Sequence, residues 1–387
     1  MNRTALLTLA VTSLLPGSLL AGTPAAPDKA PTAVARSGGW RVSGGFMHRS
    51  LGGFDWSAST QSVPSLLTIG PGSTTAGIDA IGPADAFANR TYFDGFVFQD
   101  AGTAEGGDTW NWGYQNGAQV NNGLINFQGG NGTAATSTAA DHYQPGDWSS
   151  DLDGTAPYIQ VEWIQPYTDS LNIGFQGGFC FMNTGTSRNL STFTASKSRT
   201  DYGITYKDTY DLMGSQAPQA PYAGGPTGPG ILLTNIPMNR VATHTVSGGE
   251  TATAFNSIST DLDLNLSSIS LGPVLEYQRG KFALVASAGL TINIADWDAQ
   301  QNETLFVSRD GAPATAQNHW RDHDDGTKVT PGLFLQAAVS RQLNDKWSLT
   351  AFGRYDWVGE VDIHAGPSTG SADLSGWSLG GGIEFRF

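Results

Sequence analysis

The sequence predicts an all-β protein, a transmembrane antiparallel up-and-down β-barrel. Three observations predict it: segments in which apolar and polar residues alternate, connections that alternate between short and long, and a chain that ends on an aromatic residue. Alternation with a period of two is the pattern of a strand with one apolar and one polar face. We count eight such segments and expect eight strands, with ten or twelve as the alternatives.

Each of the eight segments places apolar side chains on one face and polar side chains on the other. They cover residues 39–48, 158–167, 171–182, 268–278, 281–294, 327–343, 346–362 and 380–387. In the last segment, Ile383, Phe385 and Phe387 alternate with Glu384 and Arg386. In 346–362, Val361 falls on the apolar face and Asp362 on the polar face.

The connections between the segments are sorted by length. Three are tight turns, at 168–170, 279–281 and 344–346, and the other four are long, at about 49–157, 183–260, 295–326 and 363–372. Transmembrane barrels alternate short periplasmic turns with long extracellular loops in this way.

The long connections contain further strand-like pieces, and one segment that is not strand-like. Residues 91–99, 109–115, 123–129 and 200–212 could extend hairpins above the membrane or supply extra spans. Residues 213–231 have too much Pro and Gly for a strand, so we expect a loop there.

The apolar parity changes near Ser267. Leu262, Leu264 and Leu266 are even-numbered, whereas Ile269 and the apolar residues after it are odd-numbered. A β-bulge is the simplest device that shifts parity within a strand. We therefore expect a bulge near Ser267.

The amino-acid composition argues against several classes of function. Charged residues make up 14% of the 387 residues, against about 25% in typical soluble domains. The net charge of −14 argues against nucleic acid, which requires clustered Lys and Arg. The single cysteine, Cys180, excludes an internal disulfide framework and a zinc site built from several thiolates. Since no phosphate-binding or serine-hydrolase motif occurs, we expect neither a cofactor nor enzymatic activity.

The N-terminus has the features of a secretory signal peptide. Arg3 precedes a short apolar run, and small residues follow, so residues 1–22 predict a signal for the Sec pathway with cleavage between Ala21 and Ala26. Residues 23–38 read as an Ala/Pro-rich periplasmic linker, and residues 39–387 as the barrel domain. No apolar run of about 18 residues follows, so an exported chain of this kind can only cross a membrane as a barrel.

These features resemble outer-membrane β-barrel proteins of the OmpA-membrane-domain and OmpX type. The resemblance rests on the signal peptide, the alternation, the sorted loops and the closing GIEFRF. It implies a location in the outer membrane of a Gram-negative cell, contact with the lipid bilayer and lipopolysaccharide, and assembly by periplasmic chaperones and the barrel-assembly machinery. In that class a terminal aromatic residue is part of the assembly signal, which would comprise Trp377, Ile383, Phe385 and Phe387.

A polar set faces the predicted lumen. In an eight-stranded barrel the lumen is only wide enough to be filled by side chains, so charges there must pair. We expect these residues to form a polar network that stiffens the barrel; a narrow or gated pore lined by them is the alternative. The inward polar residues are Arg41, Gln160, Glu162, Gln176, Glu276, Gln336, Arg354, Asp356, Glu384 and Arg386.

One connection carries the only dense cluster of imidazoles and carboxylates. The segment HWRDHDDG places His319, Asp322, His323, Asp324 and Asp325 in the predicted loop 295–326. These groups are weak candidates for a metal site or a hydrolase, as in outer-membrane proteases of the omptin kind. A solvated acidic loop is the plainer interpretation. The sequence thus favours a structural or surface-interaction protein, with a passive porin-like channel as the alternative and a surface hydrolase as a less favoured third.

Overall fold

The computed structural model describes residues 38–78 and 81–387. The predicted signal peptide and the linker up to residue 37 lie outside the described residues. Three short helices interrupt the strands: the 3₁₀ helices Pro64–Leu66 and Gly117–Gln119, and the α-helix α1 at Ala101–Gly106. No helix in the described ranges is long and apolar enough to span a membrane.

Strands dominate the rest of the chain. In order they are β1 Gly39–Ser57, β2 Arg90–Tyr92, β3 Gly95–Val97, β4 Asp108–Thr109, β5 Trp112–Tyr114, β6 Val120–Asn121, β7 Leu124–Tyr143, β8 Asp147–Ser150, β9 Asp153–Pro166, β10 Leu171–Leu190, β11 Phe193–Asp211, β12 Tyr222–Ala223, β13 Leu233–Thr234, β14 Asn239–Arg279, β15 Phe282–Arg309, β16 Thr315–Gln342, β17 Trp347–Trp357, β18 Glu360–Ala365 and β19 Ser368–Arg386.

Eight of these strands pair antiparallel in a continuous cycle. Its order is β1, β9, β10, β14, β15, β16, β17, β19 and back to β1. Each of the eight overlaps one of the eight predicted segments, and the three tight turns join them as predicted. The described residues form 19 strands in all, however, so the strand counts of eight, ten and twelve were all too low. The additional strands arise within the predicted long connections.

The polar and apolar faces exchange sides partway along the strands of the cycle. On β15, outward residues as far as Ile294 are apolar, and inward residues such as Asn293 are polar and buried. Beyond that level the outward residues become polar, starting with Asp296, while the inward Ala295 and Ala299 are apolar and buried. The outer face of this strand is therefore apolar and then polar along its length, and its inner face changes in the opposite sense.

The same exchange explains the parity change on β14, and the expected bulge near Ser267 was wrong. Ser267 and its neighbours pair with β10 and β15 in constant register. Leu264 and Leu266 point inward and are fully buried, whereas Ile269 and Leu271 point outward and are exposed. The apolar residues change parity because they change from the inner to the outer face of an undistorted strand.

Below the exchange, an apolar band encircles the cycle. Every strand of the cycle contributes exposed apolar side chains to it: Trp40, Phe46, Ile159, Val161, Trp163, Phe175, Phe179, Phe181, Ile269, Leu271, Leu275, Leu284, Leu290, Ile292, Leu333, Leu335, Val339, Trp347, Leu349, Tyr355, Trp377, Leu379 and Ile383.

Two of the predicted long loops are strands instead. Residues 295–326 form the upper arms of β15 and β16, which pair as far as Val307 and Thr315. Residues 363–372 belong to a hairpin of β18 and β19. The segment 346–362 was wrongly treated as one strand, because it breaks between β17 and β18. On β18 Val361 is buried inside, and Asp362 faces out.

The remaining connections build an outer part above the cycle. β11 follows β10 along the same side of β14, and β7 pairs with the other side of β11. We call the three-stranded sheet of β7, β11 and residues 239–255 of β14 the stalk. A small sheet of β2, β3, β5 and β12 sits with β7 and β11 around a buried core that includes Tyr92, Trp112 and Phe127. β12 lies within residues 213–231, where we expected no strand.

Candidate functional site

The lower lumen is centred on an ion pair between opposite walls. Arg41 of β1 donates two hydrogen bonds to Glu276 of β14, Nη1 to Oε2 at 2.5 Å and Nη2 to Oε1 at 3.1 Å. Asn172 Nδ2 donates a third to Glu276 Oε1 at 2.7 Å, and Glu384 lies 4.0 Å from Arg41. All four side chains are buried. A bidentate pair of this kind fixes the two strands against each other.

An amide chain continues the network around the same level. Gln160 Nε2 donates to Glu162 Oε1 at 2.5 Å and to Gln176 Oε1 at 2.9 Å. Gln336 Nε2 reaches Gln160 Oε1 at 3.4 Å, which joins β16 to β9 across the lumen. Arg386 is also buried. The structure thus places every predicted lumen residue on the inner wall.

The sequence analysis missed one member, Arg49. Its side chain is 1% exposed, donates to Ser268 Oγ at 2.8 Å and lies 4.0 Å from Asp356. Asp356 itself is held by Arg354 of the same strand, with the Nη2–Oδ1 distance at 2.7 Å. Arg49 lies just past the predicted end of the first strand. Extending the odd-numbered inward parity of Arg41 to position 49 would have found it.

Side chains fill the lumen at this level. The cavity between Tyr158, Gln336 and Arg354 has a volume of about 20 Å³, room for about one water molecule. Above it the interior is apolar and includes Phe54, Trp56 and the inward leucines of β14. Along the axis of the eight-stranded cycle, the interior therefore has a polar layer with an apolar layer above it.

A strap closes the outer end. Residues 59–62 follow β1 and are held by the buried Glu303 of β15. Glu303 accepts hydrogen bonds from Thr60 Oγ1 at 2.5 Å, Gln61 N at 2.7 Å, Ser62 Oγ at 2.7 Å and Asn256 Nδ2 at 2.8 Å. A carboxylate that accepts several donors can be buried without a cation beside it. The sequence analysis missed it because Glu303 lay in a predicted loop.

The candidate metal and hydrolase cluster is divided between two faces of β16. His319, His323 and Asp325 face outward and are exposed, while Asp322 and Asp324 face the other way. The partners confirm the division, since Asp324 accepts from Trp297 Nε1 at 3.2 Å and from the backbone N of His364 at 2.9 Å.

The side chains of that cluster that could bind a metal do not point to one common position. His323 Nε2 lies 3.0 Å from Asp325, and Nδ1 lies 3.4 Å from Asp298 of β15. Asp322 accepts from Gln61 Nε2 at 2.7 Å on the inner side. Residues 38–78 and 81–387 contain no group of three or more His, Cys, Asp or Glu side chains placed to hold a metal ion.

The predicted assembly residues lie at the C-terminal end of β19 and at its middle. Phe385 packs between Trp347, at 4.8 Å between ring centroids, and Phe387, at 5.1 Å. Ile383 lies one row above them on the same outward face. Trp377 lies near the outer end of the apolar band, with its ring centroid 5.7 Å from that of His48. The structure therefore brings the three terminal residues together and leaves Trp377 apart.

A buried polar centre in the outer part was not predicted. Tyr92 Oη donates to Asp208 Oδ2 at 2.6 Å, and Arg240 binds the same carboxylate at 2.6 Å. Burial, followed by the charges of Tyr210 and Asp208, raises the pKa of Tyr92 far above its usual value. Burial likewise raises the pKa of Tyr210. Both phenols are therefore neutral donors that join the stalk to the small sheet.

Sequence comparisons identify no relative: no known protein family matches the chain, and no curated protein matches it in sequence. Solved structures do match, among them the following three. The outer membrane protein OprG from Pseudomonas aeruginosa is 8% identical, with 91% of this chain and 97% of that chain covered and a TM-score of 0.31. The outer membrane protease OmpT from Escherichia coli is 7% identical, with 93% and 99% covered and a TM-score of 0.27.

The third is Ail, the attachment invasion locus protein of Yersinia pestis, which is 9% identical with 66% of this chain and 99% of that chain covered and a TM-score of 0.24. All three are outer-membrane β-barrel proteins, the class that the sequence resembles. Matches at these identities and TM-scores carry no information about the activity of this chain.

Proposed function

We propose that the eight-stranded cycle is a closed barrel that spans the outer membrane with a filled lumen, and that it anchors the stalk and small sheet at the cell surface. The role is structural or one of surface interaction, and it is not catalytic. The observation that carries the proposal is the exchange of polar and apolar faces at one level on neighbouring strands.

The exposed band requires an apolar solvent. Soluble proteins rarely expose contiguous apolar patches larger than a few hundred Å², whereas this band includes side chains from every strand of the cycle. On β15 the outward apolar run covers residues 282–294. At ~3.4 Å per residue and ~40° tilt it spans ~30 Å along the membrane normal, which matches the hydrocarbon core.

The closed cycle also satisfies the requirement that backbone polar groups be paired inside a bilayer. Backbone groups in hydrocarbon must all be paired, and a cycle of strands leaves no edge. Above the level of Ile294 and Ser267, the outward residues turn polar because water replaces lipid there. Apart from Gln301 and Glu303, the inward residues of β15 above that level are apolar, because the wall then encloses a core of the kind found in soluble proteins.

The filled lumen favours an anchor over a passive channel. A channel needs a continuous polar path, and here the ion pair of Arg41 with Glu276 is followed by an apolar layer and the strap held by Glu303. Surface hydrolysis is not favoured either. Of the carboxylates in the described residues, only Asp325 and Asp298 lie beside the exposed His323, while Asp322 and Asp324 face inward and are held by Gln61 and Trp297.

Bilayer recording tests this proposal. Refolded protein that migrates differently before and after heating should insert into a planar bilayer and give no steady conductance. Nanosiemens steps from folded protein would contradict the filled lumen, and failure of folded protein to enter lipid vesicles would contradict the membrane location.

A further inference from the structure

The stalk has a strand edge that lacks a partner. β14 pairs with β11 from Asn239 to Phe255, but its pairing with β15 on the other side begins only at Ala252. In the described part of the chain no strand covers residues 241–246 on that side, and all six of their side chains are exposed. We call this side of residues 241–246 the free edge.

The composition of the free edge suits strand pairing. Its sequence VATHTV has four β-branched residues, no proline and no lysine, arginine or carboxylate. Natural sheet edges are usually guarded by charges, prolines or bulges, because an unpaired row of N–H and C=O groups is a template for another strand. The nearest bulge lies beyond Val246, where the register with β11 shifts. Short uncharged β-branched segments are those that pair most readily.

We propose that the free edge binds the free edge of a second copy of this chain, as an antiparallel strand pair. A two-fold axis perpendicular to the sheet leaves each side chain on the same face of the sheet. Residues that face each other across the axis must therefore both have odd numbers or both have even numbers. With the axis at Thr243, that residue faces its own copy, and Val241 faces Thr245 of the second copy. Pairs of β-branched residues are favourable across antiparallel strands.

The orientation of the barrel decides where the two copies lie. Copies in one membrane share one direction, so their β14 strands run parallel and cannot form this pair. An antiparallel pair requires copies that point at each other, so the contact joins two facing membranes. This step rests on the proposed membrane barrel, whereas the strand pairing itself does not.

Disulfide trapping in detergent tests the pairing independently of the membrane. In a Cys180→Ser background, Thr243→Cys should give a disulfide-linked dimer on mild oxidation. Opposite Cα atoms of an antiparallel pair lie about 4.5–5.5 Å apart, within disulfide range. Thr205→Cys is the matched control, because Thr205 is the cross-strand neighbour of Thr243 on β11 and is also exposed. It should give no dimer. Absence of the dimer with Thr243→Cys, or equal dimer with Thr205→Cys, would overturn the proposal.

Lysine substitutions test the unlinked protein. Thr243→Lys places a charge on the free edge and should abolish the two-copy species seen by light scattering, whereas Thr205→Lys should leave it intact. In lipid nanodiscs holding one barrel each, Thr243→Cys should link two discs. If the protein forms the disulfide-linked dimer in detergent but does not enter discs, only the membrane barrel is contradicted. If it enters discs but forms no dimer in detergent, only the strand pairing is contradicted.

Discussion

The lower and upper halves of the same strands obey opposite rules. Below Ser267 and Ile294, the outward side chains of β14 and β15 are mainly apolar and the inward ones mainly polar or small; above them the outward side chains are mainly polar and the inward ones mainly apolar. Val285 in the lower half and Gln301 and Glu303 in the upper half are exceptions. The backbone does not change at the boundary, because the register of β14 with β10 and β15 is constant there. Side-chain choice alone therefore gives one continuous strand two opposite face patterns.

The largest expected effect comes from breaking the ion pair of the lower half. Glu276→Leu leaves the buried guanidinium of Arg41 without its carboxylate, which should cost about 3–5 kcal/mol of unfolding free energy. Asp298→Asn, in an exposed pair with His323, should cost about 0–1 kcal/mol. Denaturant titration of both variants in detergent checks the difference. Equal losses would mean that the lower lumen is as wet as the surface.

Leucine truncation on β14 compares the two halves directly. Leu264→Ala, in the apolar core of the upper half, should cost about 2–5 kcal/mol because it leaves a cavity. Leu271→Ala, on the outward face of the lower half, is 63% exposed and leaves no cavity in the protein, so a smaller loss is expected. The same titration measures both. A larger loss for Leu271→Ala would reverse the assignment of faces.

An arginine scan along the outward face of β15 tests the boundary from outside. Leu290→Arg should destabilise the protein by about 2–4 kcal/mol in a bilayer, as charges do on the lipid face of a barrel. Asp298→Arg lies on the same face above the boundary, opposite the carboxylates of Asp263 and Asp325, and should be neutral or mildly stabilising. Folding in vesicles at several urea concentrations separates the two. A similar loss of unfolding free energy at both positions would contradict a membrane boundary between them.

The outer part should respond to alkali. The pKa of Tyr92 is raised in the folded state, so the unfolded chain loses this proton first, near pH 10. Stability supplied by the neutral phenol is present below that pH and is lost as the pH rises above it. Limited proteolysis of the outer part should therefore accelerate above about pH 10. Tyr92→Phe, which cannot ionise, should show a flatter pH profile; an identical profile would show that another group is responsible.

The smallest effect on stability is expected at the chain end. Phe387 is 76% exposed, so Phe387→Ala should leave the unfolding free energy nearly unchanged. If the terminal aromatic residue is read during assembly, the yield of folded protein in the outer membrane should nevertheless fall several-fold. Phe46→Ala, which removes an outward aromatic side chain of β1 that is 66% exposed and lies outside the predicted signal, is the matched control and should assemble normally. Normal yield of Phe387→Ala would exclude this role.

The sequence predicted the lower half far better than the upper half. Period-two alternation located all eight strands of the cycle and the inward residues from Arg41 to Arg386, because each strand there has one apolar and one polar face. The upper arms were taken for loops, since the outward residues of 295–326 are polar and the inward ones are mixed. Arg49 was missed only because the first predicted strand ended at residue 48. Glu303 and Asp208 were missed because their burial depends on which distant segments cover them.

The depth of labelled side chains along β15 tests the central claim most directly. Single cysteines at Leu284, Leu290, Asp296 and Asp298, in a Cys180→Ser background, would carry a fluorophore on the outward face in vesicles containing brominated lipids. We expect strong quenching at positions 284 and 290 and little at 296 and 298, with the change at Ile294. Quenching that is uniform along the strand, or absent at position 290, would contradict a membrane boundary at the exchange of faces.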